Sequence, residues 1–283
     1  MRTLHVDTVN FGVSHYFAYI KGYNADKYKT AVLEGVLRHI PEICHGTGCD
    51  KVAFYFDGTG NLRDGYRKAH KWKKRKKFKN ELHKLGVDEA KRQVKALEGQ
   101  LRGMGMSAVH SFPGYEREDL IARAVSTQPG GHVILSGDRD MLQCLSKKVS
   151  MLDWKRDCLW TPTRFMREKG VSPKDWPMVL AVGGHSSNDF WKIDGIGEQT
   201  AVSYVRGELE GGSRFLELIS KEADKIKMNL IIMTLPYLGT PEIEPVDKDR
   251  IMKSEMEKHM MKCGLQYEKE KTIKAWERIL SVE

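Results

Sequence analysis

Three hydrophobic segments of this chain each run directly into a carboxylate, and that repetition restricts the fold more than any other feature. Residues 3–6 (TLHV) precede Asp7, residues 51–56 (KVAFYF) precede Asp57, and residues 131–137 (GHVILSG) precede Asp138 and Asp140. Near-continuous apolar character, without strict polar alternation, fits central parallel strands covered on both faces. In an open sheet of that kind the C-terminal strand ends converge on one edge, where ligands bind. Glu116, Glu118 and Asp119 open a predicted helix in 114–119 (GYERED). Singly these acids are ordinary, because Asp suits turns and acids suit helix starts. Gathered on one edge they would repel one another unless a cation held them. Hard divalent ions with oxygen ligands are the natural partner.

Strands alternating with helical segments predict an α/β fold with a mostly parallel central sheet and helices on both faces. Residues 25–40 read as a helix between the first two strands. From about 61 to 105 the chain is polar, basic and helix-forming, a long insertion expected to stand away from the body. A third strand is predicted at 107–112, a helix at 116–127, and edge strands or a hairpin at 149–152 and 158–160. Helices with glycine-rich breaks follow. The expected division is an α/β domain over 1–160 and a helical subdomain over 161–283.

The net charge of +9 comes from one place. Residues 67–79 (RKAHKWKKRKKFK) hold nine Lys or Arg and no acid, and without them the chain is formally neutral. A basic run is usually a solvated helix face. This one is internal and carries Trp72 and Phe78 among its cations, which suits phosphates and stacked bases of a single strand. Five cysteines without a CxxC pair suit reduced thiols, and the His39, Cys44, His45, Cys49 group matches no standard zinc spacing. No apolar run approaches the ~20 residues of a membrane span, and the expected location is the cytoplasm.

Residues 194–201 (DGIGEQTA) add a Gly-x-Gly turn between two predicted helices, a weak signal alone, whose backbone amides could approach a phosphate. With VDTVN (6–10), FYFDG (54–58), GYERED (114–119) and ILSGDRDMLQ (134–143), in this order and spacing, the chain resembles the 5′ nuclease or flap endonuclease family. Its members include bacteriophage 5′–3′ exonucleases and the N-terminal nuclease of bacterial DNA polymerase I. The resemblance implies a PIN-like domain with a helical arch and a helix-hairpin-helix near 180–210. It implies two Mg²⁺ or Mn²⁺ ions held by Asp7, Asp57, Glu116, Glu118, Asp119, Asp138 and Asp140, and it allows a monovalent cation at the hairpin. Lys71 matches the arch lysine, Lys74 or Arg75 the phosphate-binding arginine, and Arg63 an arginine ahead of the arch. Lys68, His70, Trp72, Lys73, Gly195, Ile196, Gly197, Gln199 and Thr200 are the expected DNA contacts.

The chain departs from the family at residues 184–190 (GHSSNDF), where two aspartates usually complete the second metal site. His185 and Asn188 stand there, with Asp189 adjacent. Imidazole and amide are weaker Mg²⁺ ligands than carboxylate, so the second ion is expected to bind less tightly. The implied activity is metal-dependent hydrolysis of DNA at free 5′ ends, flaps or nicks, by a monomer. A related nuclease acting on RNA in hybrids, or a non-catalytic DNA-binding protein, remains as an alternative.

Overall fold

A computed structural model describes residues 1–20, 29–65, 81–184, 192–245 and 249–283. In chain order the first elements are β1 (Arg2–Asp7), α1 (Thr8–Ile20), α2 (Ala31–Thr47), β2 (Lys51–Tyr55), α3 (Glu81–Gly103) and β3 (Val109–His110). There follow α4 (Arg117–Thr127), β4 (Gly131–Leu135), a 3-10 turn at Arg139–Cys144, β5 (Val149–Asp153) and β6 (Cys158–Trp160). The rest is mainly helical: α5 (Pro162–Lys169), α6 (Trp176–Gly183), α7 (Glu198–Val205), α8 (Arg214–Lys221) and α9 (Ala223–Met233). The chain closes with β7 (Arg250–Ile251), α10 (Lys253–Lys262), α11 (Lys269–Trp276) and β8 (Ser281–Val282).

Six strands pair in the order β3-β2-β1-β4-β5-β6, parallel except for β6. β1 lies centrally, with β2 on one side and β4 on the other, so the strand order reverses at β1. That is the switch point at which an open sheet offers a crevice. The register aligns Asp7 with Tyr55 and Val6 with Leu135, which brings the ends of all three strands to the same level. Leu4, Val6, Val52 and Phe54 pack on one face against α1, α2 and α3; Ala53, Tyr55 and Ile134 pack on the other with α4 and α6. Each such fully buried Leu or Phe contributes roughly 1.5–3 kcal/mol. Cover on both faces is the physical reason the strands read as nearly unbroken apolar runs.

Several expectations change in detail. The third strand is two residues long, and Thr8–Ile20 forms a helix with no counterpart in the sequence reading. The second half of the 61–105 insertion does not stand away: Ala90, Val94, Leu97 and Leu101 of α3 are buried in the first core. The chain's last segment also crosses the expected division at 160. Ile251, Met256, Ile273, Trp276 and Leu280 join the same core as Leu4 and Val36, and Trp276 Nε1 donates to the Leu37 carbonyl at 3.0 Å. His39, Cys44 and His45 belong to α2, and burial pushes the Cys44 thiol up. Among the described residues no helix is long and apolar enough to cross a membrane.

One polar row runs through the second core. The Gln128 carbonyl accepts from His132 Nε2 at 3.2 Å, which leaves His132 Nδ1 to accept from His5 Nε2 at 3.0 Å. His5 Nδ1 then accepts the Tyr55 hydroxyl at 2.8 Å. In this order of donors each imidazole is neutral, giving one N–H and one lone pair. Burial, reinforced by His132 and then His110, holds His5 well below the usual imidazole range. Burial likewise takes His15 and His110 down to about 4. Because these groups are depressed in the folded chain, the unfolded chain binds the extra protons first as pH falls. The share of stability these histidines contribute should therefore be complete above about pH 6.5 and fall steadily toward pH ~4. NMR titration of the imidazole rings across that window checks this, and buried histidines that titrate near the ordinary value of about 6.5 would refute the neutral row.

Candidate active site

Each carboxylate reaches the sheet edge by local chain chemistry. Asp7 ends β1 and caps α1, accepting from the Asn10 amide at 2.9 Å. Asp138 caps the 3-10 turn after β4, accepting from the Asp140 amide at 3.0 Å. Ser136 joins the two, donating to Asp7 at 2.7 Å and accepting from the Asp138 amide at 3.0 Å. Asp57 follows β2 in a loop pressed against the approach to α4. A Cβ on Gly58 would sit 1.7 Å from the Phe112 carbonyl oxygen, so only glycine permits this approach. Glu116 and Asp119 close a capping box at the start of α4. Asn61 donates to Glu116 at 2.5 Å.

Asp57, Glu116, Glu118, Asp138 and Asp140 line one cavity of about 830 Å³, with Asp7 fully buried beside it. Lys91 and Lys95, one turn apart on α3, line the same cavity. The charge problem foreseen in the sequence is visible as shifted ionisation. Burial, then the neighbouring Asp138, pushes Asp140 up to about 8. Burial also drives Glu118 well above the usual carboxylate range, with Asp138, Asp7 and Glu116 adding to it against the pull of Arg117. Burial opposes ionisation of Asp57 too, but Arg117 outweighs it and Lys91 assists, so Asp57 ends below its ordinary value.

Arg117 is the residue that sequence reasoning missed. Its Nε donates to Asp7 at 2.5 Å, its Nη1 to the two oxygens of Asp57 at 2.8 and 3.0 Å, and its Nη2 pairs with Glu118 at 2.6 Å. A signal for it existed. A cation in the first turn of a helix opposes the helix dipole, so an arginine there needs acids of its own. Lys91 and Lys95 carried no comparable signal, being two of many exposed cations on a helix.

Asp119 and Arg63 are paired with each other. Asp119 is fully buried, and its oxygens take both guanidinium nitrogens of Arg63 and the Tyr237 amide at 2.7 Å. In this arrangement it is the partner of Arg63. Arg63 lines the cavity but is only 2 % exposed, and it also donates to the Ile232 carbonyl at 2.9 Å. The arch residues Lys68, His70, Lys71, Trp72, Lys73, Lys74 and Arg75 lie outside the described residues. So do His185, Asn188 and Asp189.

The hairpin lies between α6 and α7. Gly195 adopts φ +84°, a conformation that favours glycine, and Gly195, Gly197 and Gln199 are exposed, with Thr200 half-buried. Ile196 does not fit a DNA contact: its side chain is buried and its amide donates to the Ile193 carbonyl at 3.1 Å. Glu198, at the start of α7, is held by Arg139 and by Lys169 at 2.8 Å, which fastens the hairpin to the turn carrying Asp138 and Asp140.

Hard carboxylate oxygens are the donor type that Mg²⁺ or Mn²⁺ requires. As they stand, however, no three His, Cys, Asp or Glu side chains among the described residues are arranged to hold a metal ion. The donor chemistry fits; the arrangement, with Arg117 gripping three of the acids, is not yet a cage.

The sheet order, the acid-lined switch point and the helical hairpin define a PIN-like α/β protein. Residues 2–173 match the family described as "5'-3' exonuclease, N-terminal resolvase-like domain", and the chain belongs to that family. It is 26% identical over 233 residues to a 5'-3' exonuclease of Aquifex aeolicus, covering 80% of this chain and 78% of that protein. Against the DNA polymerase I of Mycobacterium bovis it is 27% identical over 188 residues, 58% of this chain but only 21% of the polymerase. The chain thus spans about a fifth of the length of the mycobacterial polymerases it matches. A solved structure of the bacteriophage T5 D15 flap endonuclease, in a pseudo-enzyme-product complex with DNA and metal ions, shares the fold. Its TM-score is 0.65 at 14% identity, over 99% of both chains.

Proposed function

We propose that this chain is a divalent-metal-dependent 5′–3′ exonuclease and 5′ flap endonuclease acting on DNA. The observation that carries this reading is the convergence of strand-end and helix-start acids on one cavity, in a member of this family. Asp7, Asp57, Glu116, Glu118, Asp138 and Asp140 are the residues that would hold Mg²⁺ or Mn²⁺, with His185, Asn188 and Asp189 completing a weaker second position. When bound, such ions supply an activated water and stabilise the leaving oxygen. Lys91 and Lys95 would draw the scissile strand into the cavity by its phosphates, contacts that position a strand without reading its sequence. Lys71 would offset charge developing on the phosphate, and exposed Gly195 and Gly197 would let the duplex backbone approach closely.

A 5′-labelled flap, with matched DNA, hybrid and RNA versions, tests the assignment in Mg²⁺ and then in Mn²⁺. Short 5′-phosphorylated DNA products are expected with either ion and none in chelator. Cleavage that persists in chelator, or that is confined to RNA, would overturn it. In the same assay Lys71→Ala should slow turnover by about 10²-fold or more; an unchanged rate would move the electrostatic role elsewhere in the arch.

A further inference from the structure

Arg117 is the first residue of α4, where the free amides of the helix terminus oppose a positive side chain. It is held there by acids from three separate elements: Asp7 at the end of β1, Asp57 in the loop after β2, and Glu118 in α4 itself. The guanidinium is planar, permanently charged and presents five donors in a fixed fork, which is how one side chain satisfies three carboxylates at once. Its side chain is 13 % exposed and it lines the cavity with Asp138 and Asp140.

We propose that Arg117 is the resident counter-cation of the Asp7–Asp57–Glu118 half of this site, and that a divalent ion enters that half only by displacing it. The proposal rests on the metal-dependent reading given above. Divalent ions bind carboxylate oxygens at about 2.0–2.6 Å. The same oxygens already accept hydrogen bonds from Arg117 at 2.5 to 3.0 Å, so ion and guanidinium compete for the same lone pairs. Arg117 thereby sets the affinity of the site for ions and keeps it assembled without them. A displaced guanidinium remains in the cavity, where a substrate phosphate would receive it. Substrate and ion then strengthen each other's binding, as linkage requires.

Calorimetric titration of the DNA-free full chain with Mn²⁺, and separately with Mg²⁺, tests this on wild type, Arg117→Ala and Arg117→Lys. Arg117→Ala should bind ions about tenfold more tightly than wild type, with Arg117→Lys intermediate. In metal-free buffer the Tm of Arg117→Ala should fall, and Mn²⁺ should raise it by more than it raises wild type. A lowered Tm with unchanged ion affinity would mean a purely structural arginine and would overturn the proposal. If Arg117→Ala does not fold without metal, Arg117→Lys, which keeps a charge but loses the fork, decides by the same comparison of affinities. If wild type and both variants bind no divalent ion, the metal-dependent reading itself is overturned, and this inference with it.

Discussion

Asp138→Asn should abolish cleavage of a 5′ flap while leaving DNA binding intact. The substitution is nearly isosteric, and Asn retains an oxygen to accept the Asp140 amide, so the 3-10 turn after β4 keeps its cap. What disappears is a negative charge on the cavity wall beside Asp140 and Glu118. Loss of one electrostatic contributor to a reacting centre typically costs about 10²–10³-fold in turnover, and loss of an ion would cost more. DNA affinity is assigned to Lys91, Lys95, the basic segment at 67–79 and the hairpin rather than to the Asp138 carboxylate. Single-turnover cleavage with flap-binding anisotropy separates the two quantities. The variant carries a second signature. Removing Asp138's charge relieves repulsion on Asp140 and Glu118, so its metal-free Tm should rise above wild type. Retained cleavage would deny Asp138 its role, and a lowered Tm would deny the repulsion.

The acids were legible in the sequence because each marks the end of a buried strand, and a parallel sheet carries such ends to one edge. Their partners were much less legible. Arg117 stands between two acids in GYERED and looks like solvated helix charge until the three-dimensional positions of Asp7 and Asp57 are known. Asp119 reads in sequence as one of three acids opening the same helix. Three residues from Glu116, however, it lies where a capping box closes, and it turns to Arg63 instead. Ile196 was grouped with its flanking glycines, but apolar burial claims it. The return of residues 249–283 to the first core left no motif, only the spacing of Ile273, Trp276 and Leu280 on a short terminal helix and its extension. Strand ends and turn chemistry are local and survive in sequence. Pairing across 56 to 239 residues, as in Arg63 with Asp119 or Trp276 with Leu37, does not.

Arg63→Met should destabilise the fold more than any surface substitution, by about 3–5 kcal/mol, because it strands a fully buried carboxylate. Arg63 donates to Asp119 through both terminal nitrogens, to the Ile232 carbonyl through Nε at 2.9 Å, and stacks 4.5 Å from the Tyr237 ring centroid. Asp119 in turn accepts the Tyr237 amide and reaches the Glu116 amide at 3.3 Å. One ion pair therefore ties the base of the arch insertion, the start of α4 and the chain leaving α9. A loss of that size corresponds to a Tm drop of about 10 °C for a chain of this length. Asp119→Leu alone should also destabilise, by less, since the buried guanidinium keeps only Glu116, at 3.5 Å. The double variant Arg63→Met/Asp119→Leu removes both charges together and should recover part of the loss, as exchange of a buried pair for apolar groups often does. Some deficit will remain from the Tyr237 and Glu116 amides. Chemical denaturation of the two singles and the double closes the cycle. A double variant as unstable as the sum of the singles, or singles costing under about 1 kcal/mol, would show that the pair does not couple these three segments.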